Sequence, residues 1–179
     1  MYGLVSVLPQ PYFSQVESLW DELEANFNLS GIRITPIPHF SWQVAESYPE
    51  EAMLNALKAI AEETKPFEVR VKGIDIFISQ HPVVFLKVLK DTNLIKLHLK
   101  IWMKFLPIAK GANFLYSPPL WRPHISLTYQ DLAWNSLKEI LTYLKAKQID
   151  WQLPIDNLAY VCQAGDEVGK LKYQVQLKD

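Results

Sequence analysis

The 179-residue chain is 49% hydrophobic and 21% charged, with six tryptophans, which supplies one substantial core and excludes an extended disordered chain. A formal net charge of −1 argues against binding long double-stranded nucleic acid, which needs many cations against the phosphates; a small nucleotide or an RNA end remains a suitable partner. Cys162 is the only cysteine, so an intrachain disulfide and a cysteine-based metal cluster are excluded.

Tyr2 to Leu8 reads as a strand closed by "PQP". This opening lacks a basic region before its apolar run, which Pro9 and Pro11 interrupt, so neither a signal peptide nor a membrane span is expected, no membrane partner is expected, and the cytoplasm is the expected location. Phe13, Val16, Leu19, Trp20, Leu23 and Phe27 recur at helical spacing, predicting an amphipathic helix over Tyr12 to Phe27. Ile32 to Ala45 is extended but carries Pro36 and Pro38, so its ordered part should begin near His39. A second helix starts at Tyr48-Pro49 and runs to about Glu63, and "FEVRVKG" and "IDIFIS" read as two strands joined at Gly73.

After "QHP" the order begins again: a strand Val83 to Leu89, a helix from about Asn93 to Ala109, a Pro-containing loop and a strand His124 to Tyr129. A helix over roughly Asn135 to Lys147, a strand around Asn157 to Gln163, the turn "AGDEVGK" and a strand Leu171 to Leu177 follow. The chain therefore reads as β-α-β-α-β-β written twice. The expected fold class is α+β, one bilobal domain over 1–179 with pseudo-two-fold halves near 1–80 and 81–179, antiparallel sheets lining a central cleft and helices outside. Strand exchange between the halves stays open, and no pattern specifies an oligomeric state.

The third element of each half carries His-x-Ser, in "IPHFSWQV" and "WRPHISLTY", with His39 and His124 85 residues apart (124 − 39). Residues i and i+2 of a strand share a face, so His39 accompanies Ser41 and His124 accompanies Ser126, while Phe40, Trp42 and Val44, and Ile125, Leu127 and Tyr129, anchor the opposite faces. Two imidazoles flanking one ligand suit a reaction that removes a proton at one end and supplies one at the other near neutral pH. Phosphodiester cleavage is such a reaction, with the hydroxyls donating to the non-bridging oxygens. The scheme requires no cofactor and no metal, and two histidines fall short of the usual three or four zinc ligands. A lone histidine on a strand is more often structural, so the signal lies in the recurrence. His98, among Leu94, Ile101, Trp102 and Phe105, reads as a buried structural histidine, His81 as part of a turn, and the Glu pairs at 50–51 and 62–63 as solvated helix ends. Trp42 and Trp121, beside the motifs, are placed to stack on a base.

With these motifs the sequence resembles the two-histidine phosphoesterase superfamily, which includes 2'-5' RNA ligase-like proteins and cyclic nucleotide phosphodiesterases. "HFSW" and "HISL" are similar to its paired hallmark, "RPHISL" to its second motif, and "LVSVLPQPY" and "FEVRVKGIDIFISQHPVVFLKV" to its first strand and central strands. The resemblance implies the bilobal fold, His39 and His124 as the general acid/base pair, and Ser41 and Ser126 as phosphate-binding hydroxyls. The implied activity is metal-independent hydrolysis of a cyclic phosphate on a nucleotide or RNA terminus; the alternative is a non-catalytic nucleotide- or phosphate-binding module. Ligase-like members often carry an arginine five residues after the second histidine, where this chain has Tyr129. Arg122, Tyr129 and Trp42 are the candidate substrate contacts, Arg122 sharing the histidine's face only if Pro123 preserves the alternation.

Overall fold

A computed structural model describes residues 1–162 and 169–178. Its eight strands and four α-helices among these residues follow in the order β1 (Tyr2–Val7), α1 (Tyr12–Phe27), β2 (His39–Ala45), α2 (Glu50–Glu62), β3 (Phe67–Phe77), β4 (Val83–Val88), α3 (Thr92–Phe105), β5 (His124–Ser126), α4 (Leu137–Lys145), β6 (Asp150–Ile155), β7 (Asn157–Cys162) and β8 (Leu171–Gln176). The strands form two four-stranded sheets of order β2-β1-β7-β8 and β5-β4-β3-β6, every neighbouring pair antiparallel. The fold is thus α+β; counted along the chain within each sheet, the strands lie second-first-third-fourth in one and third-second-first-fourth in the other.

The two sheets do not follow the two halves of the chain. β3, from the first half, sits inside the sheet of β4 and β5, and β7 and β8, from the second, complete the sheet of β1 and β2. The chain returns to the first sheet through Asp156 alone, between β6 and β7. The helices interlace as well. α3, which connects β4 to β5, packs on β2 of the other sheet. α1, which connects β1 to β2, donates from Trp20 Nε1 to the Ser126 carbonyl of β5 at 3.1 Å and from the Tyr12 hydroxyl to the Gln152 carbonyl of β6. One continuous apolar core results, with Leu23, Met53, Ile60, Leu86, Leu94 and Ile101 all buried in it.

The helices follow their apolar spacing, and Asp91 caps α3 by accepting from Leu94 N at 2.8 Å, the role a short carboxylate fills at a helix start. Four local features differ from expectation. "FEVRVKG" and "IDIFIS" form the single strand β3, because Gly73, at φ +76°, absorbs a register shift between Val71 and Ile74 without breaking the pairing to β4. β6 is an additional strand that the local pattern does not announce; it holds Pro154 opposite Glu68 without harm because it is an edge strand. β5 ends at Ser126 rather than Tyr129, since the Thr128 hydroxyl takes the Val84 N–H at 2.9 Å in place of backbone. α3 ends at Phe105 and is followed by a 3-10 turn Leu106–Ile108 that holds Pro107. Gln163 and residues 164–168 of the expected turn "AGDEVGK" lie outside the described residues. Among the described residues no helix is long and apolar enough to cross a membrane.

Candidate active cleft

β2 and β5 are edge strands of their sheets and lie against each other, which brings the two His-x-Ser stretches together. In β2, His39 pairs with Val7 and Ser41 with Val5. They therefore share the face of Val5 and Val7, which packs with Ala159 and Val161 and is separate from the main core. Phe40 and Trp42 point the other way, into that core. In β5, His124 pairs with Lys87 and Ser126 with Phe85.

The two imidazoles are anchored alike. His39 Nδ1 lies 2.6 Å from the Ile37 carbonyl, and His124 Nδ1 lies 2.6 Å from the Arg122 carbonyl, in both cases the residue two positions before. A carbonyl only accepts, so Nδ1 carries the proton in each ring and Nε2 keeps its lone pair. Both rings are half-buried. Burial lowers His39 below the ordinary imidazole range against the opposing pull of the Ile37 carbonyl. Burial pushes His124 down to about 4, the Arg122 carbonyl opposing and the positive charges of His39 and Arg122 adding to the effect. At neutral pH both rings are therefore neutral, with the proton on Nδ1 and the lone pair on Nε2.

His124 stands in an aromatic cradle. Phe77 meets it edge-on at 4.7 Å, Phe85 lies at 5.1 Å, and these two phenyl rings stack on each other at 4.3 Å. Arg122 reaches the same face despite Pro123. Its guanidinium lies over Phe77 and Phe85, 5.0 and 5.5 Å from their centroids, and is held by Asp75 at 2.7 Å. The serine carbonyls are fixed by indoles: Trp121 Nε1 donates to the Ser41 carbonyl at 2.9 Å as Trp20 does to Ser126. Burial pushes the Tyr116 phenol up, and Ser41 and Tyr129 both lie near enough to act on it, Ser41 opposing the rise and Tyr129 adding to it. Gly31 clamps the Tyr129 backbone; a side chain there would place its Cβ 2.0 Å from the Tyr129 carbonyl.

Of the seven expected residues, His39 and Ser41 lie on β2 and His124 and Ser126 on the adjoining β5, Arg122 lies against the phenyl rings beside His124, and Tyr129 lies near Tyr116. Trp42 is the correction. It is 0% exposed, donates to the Ser6 hydroxyl at 2.9 Å and stacks on Trp121 at 5.5 Å, so it belongs to the core and offers no face to a ligand; Trp121, 2% exposed, is equally enclosed. His98 is the buried histidine expected, its Nε2 3.0 Å from the Tyr116 carbonyl. The helix-end glutamates make surface pairs, Glu63 with Lys100 at 2.8 Å and Glu62 with Lys178 at 3.2 Å. Tyr116, Phe77, Phe85 and Lys87 escaped sequence reasoning. For the last three, the alternation of β3 and β4 against buried Val84, Leu86 and Val88 was the available signal; Tyr116 sits in a loop and gave none. Among the described residues no group of three or more His, Cys, Asp or Glu side chains is arranged to hold a metal ion. Cavities of about 330 and 440 Å³, one bordered by Lys65, Lys96 and Lys100 and one by Lys72, Leu144 and Gln148, contain no motif residue.

A sequence model of the 2'-5' RNA ligase superfamily matches residues 11–167. Comparison with curated proteins gives no match. The fold is similar to that of TT0787 of Thermus thermophilus, with a TM-score of 0.67 at 16% identity over 98% of this chain and 97% of that one. It is also similar to a crystal structure described as a phosphoesterase, with a TM-score of 0.60 at 10% identity over 99% and 98% of the two chains. E. coli LigT complexed with ATP gives a TM-score of 0.57 at 12% identity over 99% and 97%. At these identities the likenesses show the shared fold.

Proposed function

The chain belongs to the 2'-5' RNA ligase superfamily, and from that premise we propose that it is a phosphodiesterase that opens a cyclic phosphate on a nucleotide or an RNA terminus through His39 and His124. The observation that supports this reading is the matched anchoring of the two rings on adjoining edge strands, each Nδ1–H on the carbonyl two residues back, which leaves the Nε2 lone pair of each ring for proton transfer.

One Nε2 takes a proton from water as its oxygen bonds to phosphorus. The opposite ring, as imidazolium, gives its Nε2 proton to the ribose oxygen as the bond from phosphorus to that oxygen breaks. The product is a phosphate monoester beside a free hydroxyl, and solvent restores the two rings. The hydroxyls of Ser41 and Ser126 donate to the non-bridging oxygens as charge gathers there. Because burial holds both rings neutral in the free protein, the anionic phosphate itself promotes protonation of the ring that becomes the acid. Each proton transfer has a protein group assigned, so this scheme runs without a metal.

His39→Ala and His124→Ala should each lower turnover of nucleoside 2',3'-cyclic phosphates by roughly 10²–10⁴ with the fold retained and with EDTA without effect. Full activity in either variant would overturn the reading. Tight nucleotide binding with no product after long incubation would instead identify a non-catalytic module.

A further inference from the structure

The face of the second sheet beside His124 carries a cation that the reaction above leaves unused. Lys87 of β4 is the direct cross-strand partner of His124, and residues directly opposite in an antiparallel pair share a face. Phe85, two residues earlier and so on the same face, confirms it by lying against the His124 ring. Lys87 is half-buried and its stem runs over Gly73. A Cβ placed on Gly73 would meet Lys87 Cε at 3.5 Å and Nζ at 3.9 Å, and the positive φ of that glycine belongs to the register shift in β3. The shift thus gives the lysine a bed free of side chains.

Neighbouring cations are neutralised. Arg122 is held by Asp75, and Arg70 and Lys72 share Asp150 at 2.6 and 2.9 Å. Lys87 has no ion pair or hydrogen bond among the described residues. On the first sheet, the face that carries His39 and Ser41 is built from the apolar side chains of Val5, Val7, Ala159 and Val161. An uncompensated ammonium beside a phosphate site raises the local concentration of a second anion and favours ligands that carry one.

We propose that Lys87 forms a second-phosphate subsite, so that the preferred substrate bears another phosphate on the ribose whose cyclic phosphate is opened. The proposal rests on the phosphodiesterase reading above. Two sources share this chemistry: the 5'-phosphate of a mononucleotide and the internucleotide phosphodiester of an oligonucleotide.

The test compares adenosine 2',3'-cyclic phosphate with a 5'-hydroxyl, the same nucleotide with a 5'-phosphate, and a dinucleotide ending in a 2',3'-cyclic phosphate, in wild type, Lys87→Met and Lys87→Arg. Wild type should favour one or both phosphate-bearing substrates by roughly tenfold in kcat/KM, mainly through KM. That ratio should fall to about one in Lys87→Met and recover in Lys87→Arg. A preference confined to the mononucleotide identifies the 5'-phosphate as the ligand, and one confined to the dinucleotide identifies the phosphodiester. No preference in wild type, or a preference that survives in Lys87→Met, overturns the proposal. Should no substrate turn over, the acid/base reading fails by itself, and calorimetry with adenosine 3',5'-bisphosphate against adenosine 3'-monophosphate in the same proteins still decides the subsite: a bisphosphate advantage lost in Lys87→Met supports it, and equal affinities refute it.

Discussion

His98 gives the stability of this fold a pH dependence whose size follows from its surroundings. The ring is 2% exposed, lies flat on Trp121 at 3.7 Å with an interplanar angle of 2°, and points Nε2 at the Tyr116 carbonyl, with the Trp42 carbonyl near enough to act on the ring as well. Two carbonyls favour a second N–H on the ring, yet burial outweighs them and, with the charge of Lys90 nearby, pushes His98 down to about 4. A histidine of the unfolded chain titrates near 6.5. Between these values the unfolded chain binds a proton that the folded chain refuses, so stability present above pH 6.5 is lost as pH falls. At about 1.36 kcal/mol per pKa unit, the loss is about 2 kcal/mol at pH 5 and approaches about 3 kcal/mol at pH 4. Urea unfolding of wild type and His98→Gln at pH 7 and pH 5 isolates this contribution, because His39 and His124 titrate alike in both proteins. Glutamine keeps a donor for the Tyr116 carbonyl and gains no proton, so whatever its offset at pH 7 it should lose about 2 kcal/mol less than wild type on acidification. Equal losses in the two proteins would refute the reasoning, as would an NMR titration that places His98 at its ordinary value.

The lowered His39 and His124 place the maximum of kcat/KM, which reports the free protein, below pH 6.5, and the bound phosphate should move the maximum of kcat upward from there; coincident maxima well above neutrality would contradict the burial of the two rings. Ser41→Ala and Ser126→Ala should each lower kcat by roughly 10²-fold if their hydroxyls serve the developing charge, and steady-state kinetics showing only a raised KM would assign them to ground-state binding. Asn157, 3% exposed, uses its amide to receive Val7 N–H at 2.9 Å and to donate to Val7 O at 2.8 Å. Asn157→Ala leaves both groups of the residue paired with His39 without partners, so thermal unfolding should report a loss of roughly 2–5 kcal/mol, and a change under about 1 kcal/mol would show that water replaces the amide.

Local pattern carried much of this molecule because local physics decided it. The 3.6-residue recurrence of Val16, Leu19, Trp20 and Leu23 suffices for α1, whatever it packs against, and the alternation around His39 and His124 suffices to put each serine beside its histidine. The repeated His-x-Ser in a repeated element order pointed to the family before any distance was known. Tertiary structure decided what depends on contacts far apart in sequence. Trp42 looks like a stacking platform until the loop bearing Trp121 closes over it, and β6, with Pro154 inside it, is a strand only because its place at a sheet edge tolerates the missing donor. The exchange of β3 against β7 and β8, the packing of α3 on the opposite sheet, and the seat of Lys87 over Gly73 arise from pairings across tens of residues, where side-chain periodicity carries no information about partners. The chain alone therefore specified which residues carry the paired motifs; the packing of two interlaced lobes decided which of them lie on adjoining strands, how the imidazole protons are held and which neighbouring charges are paired.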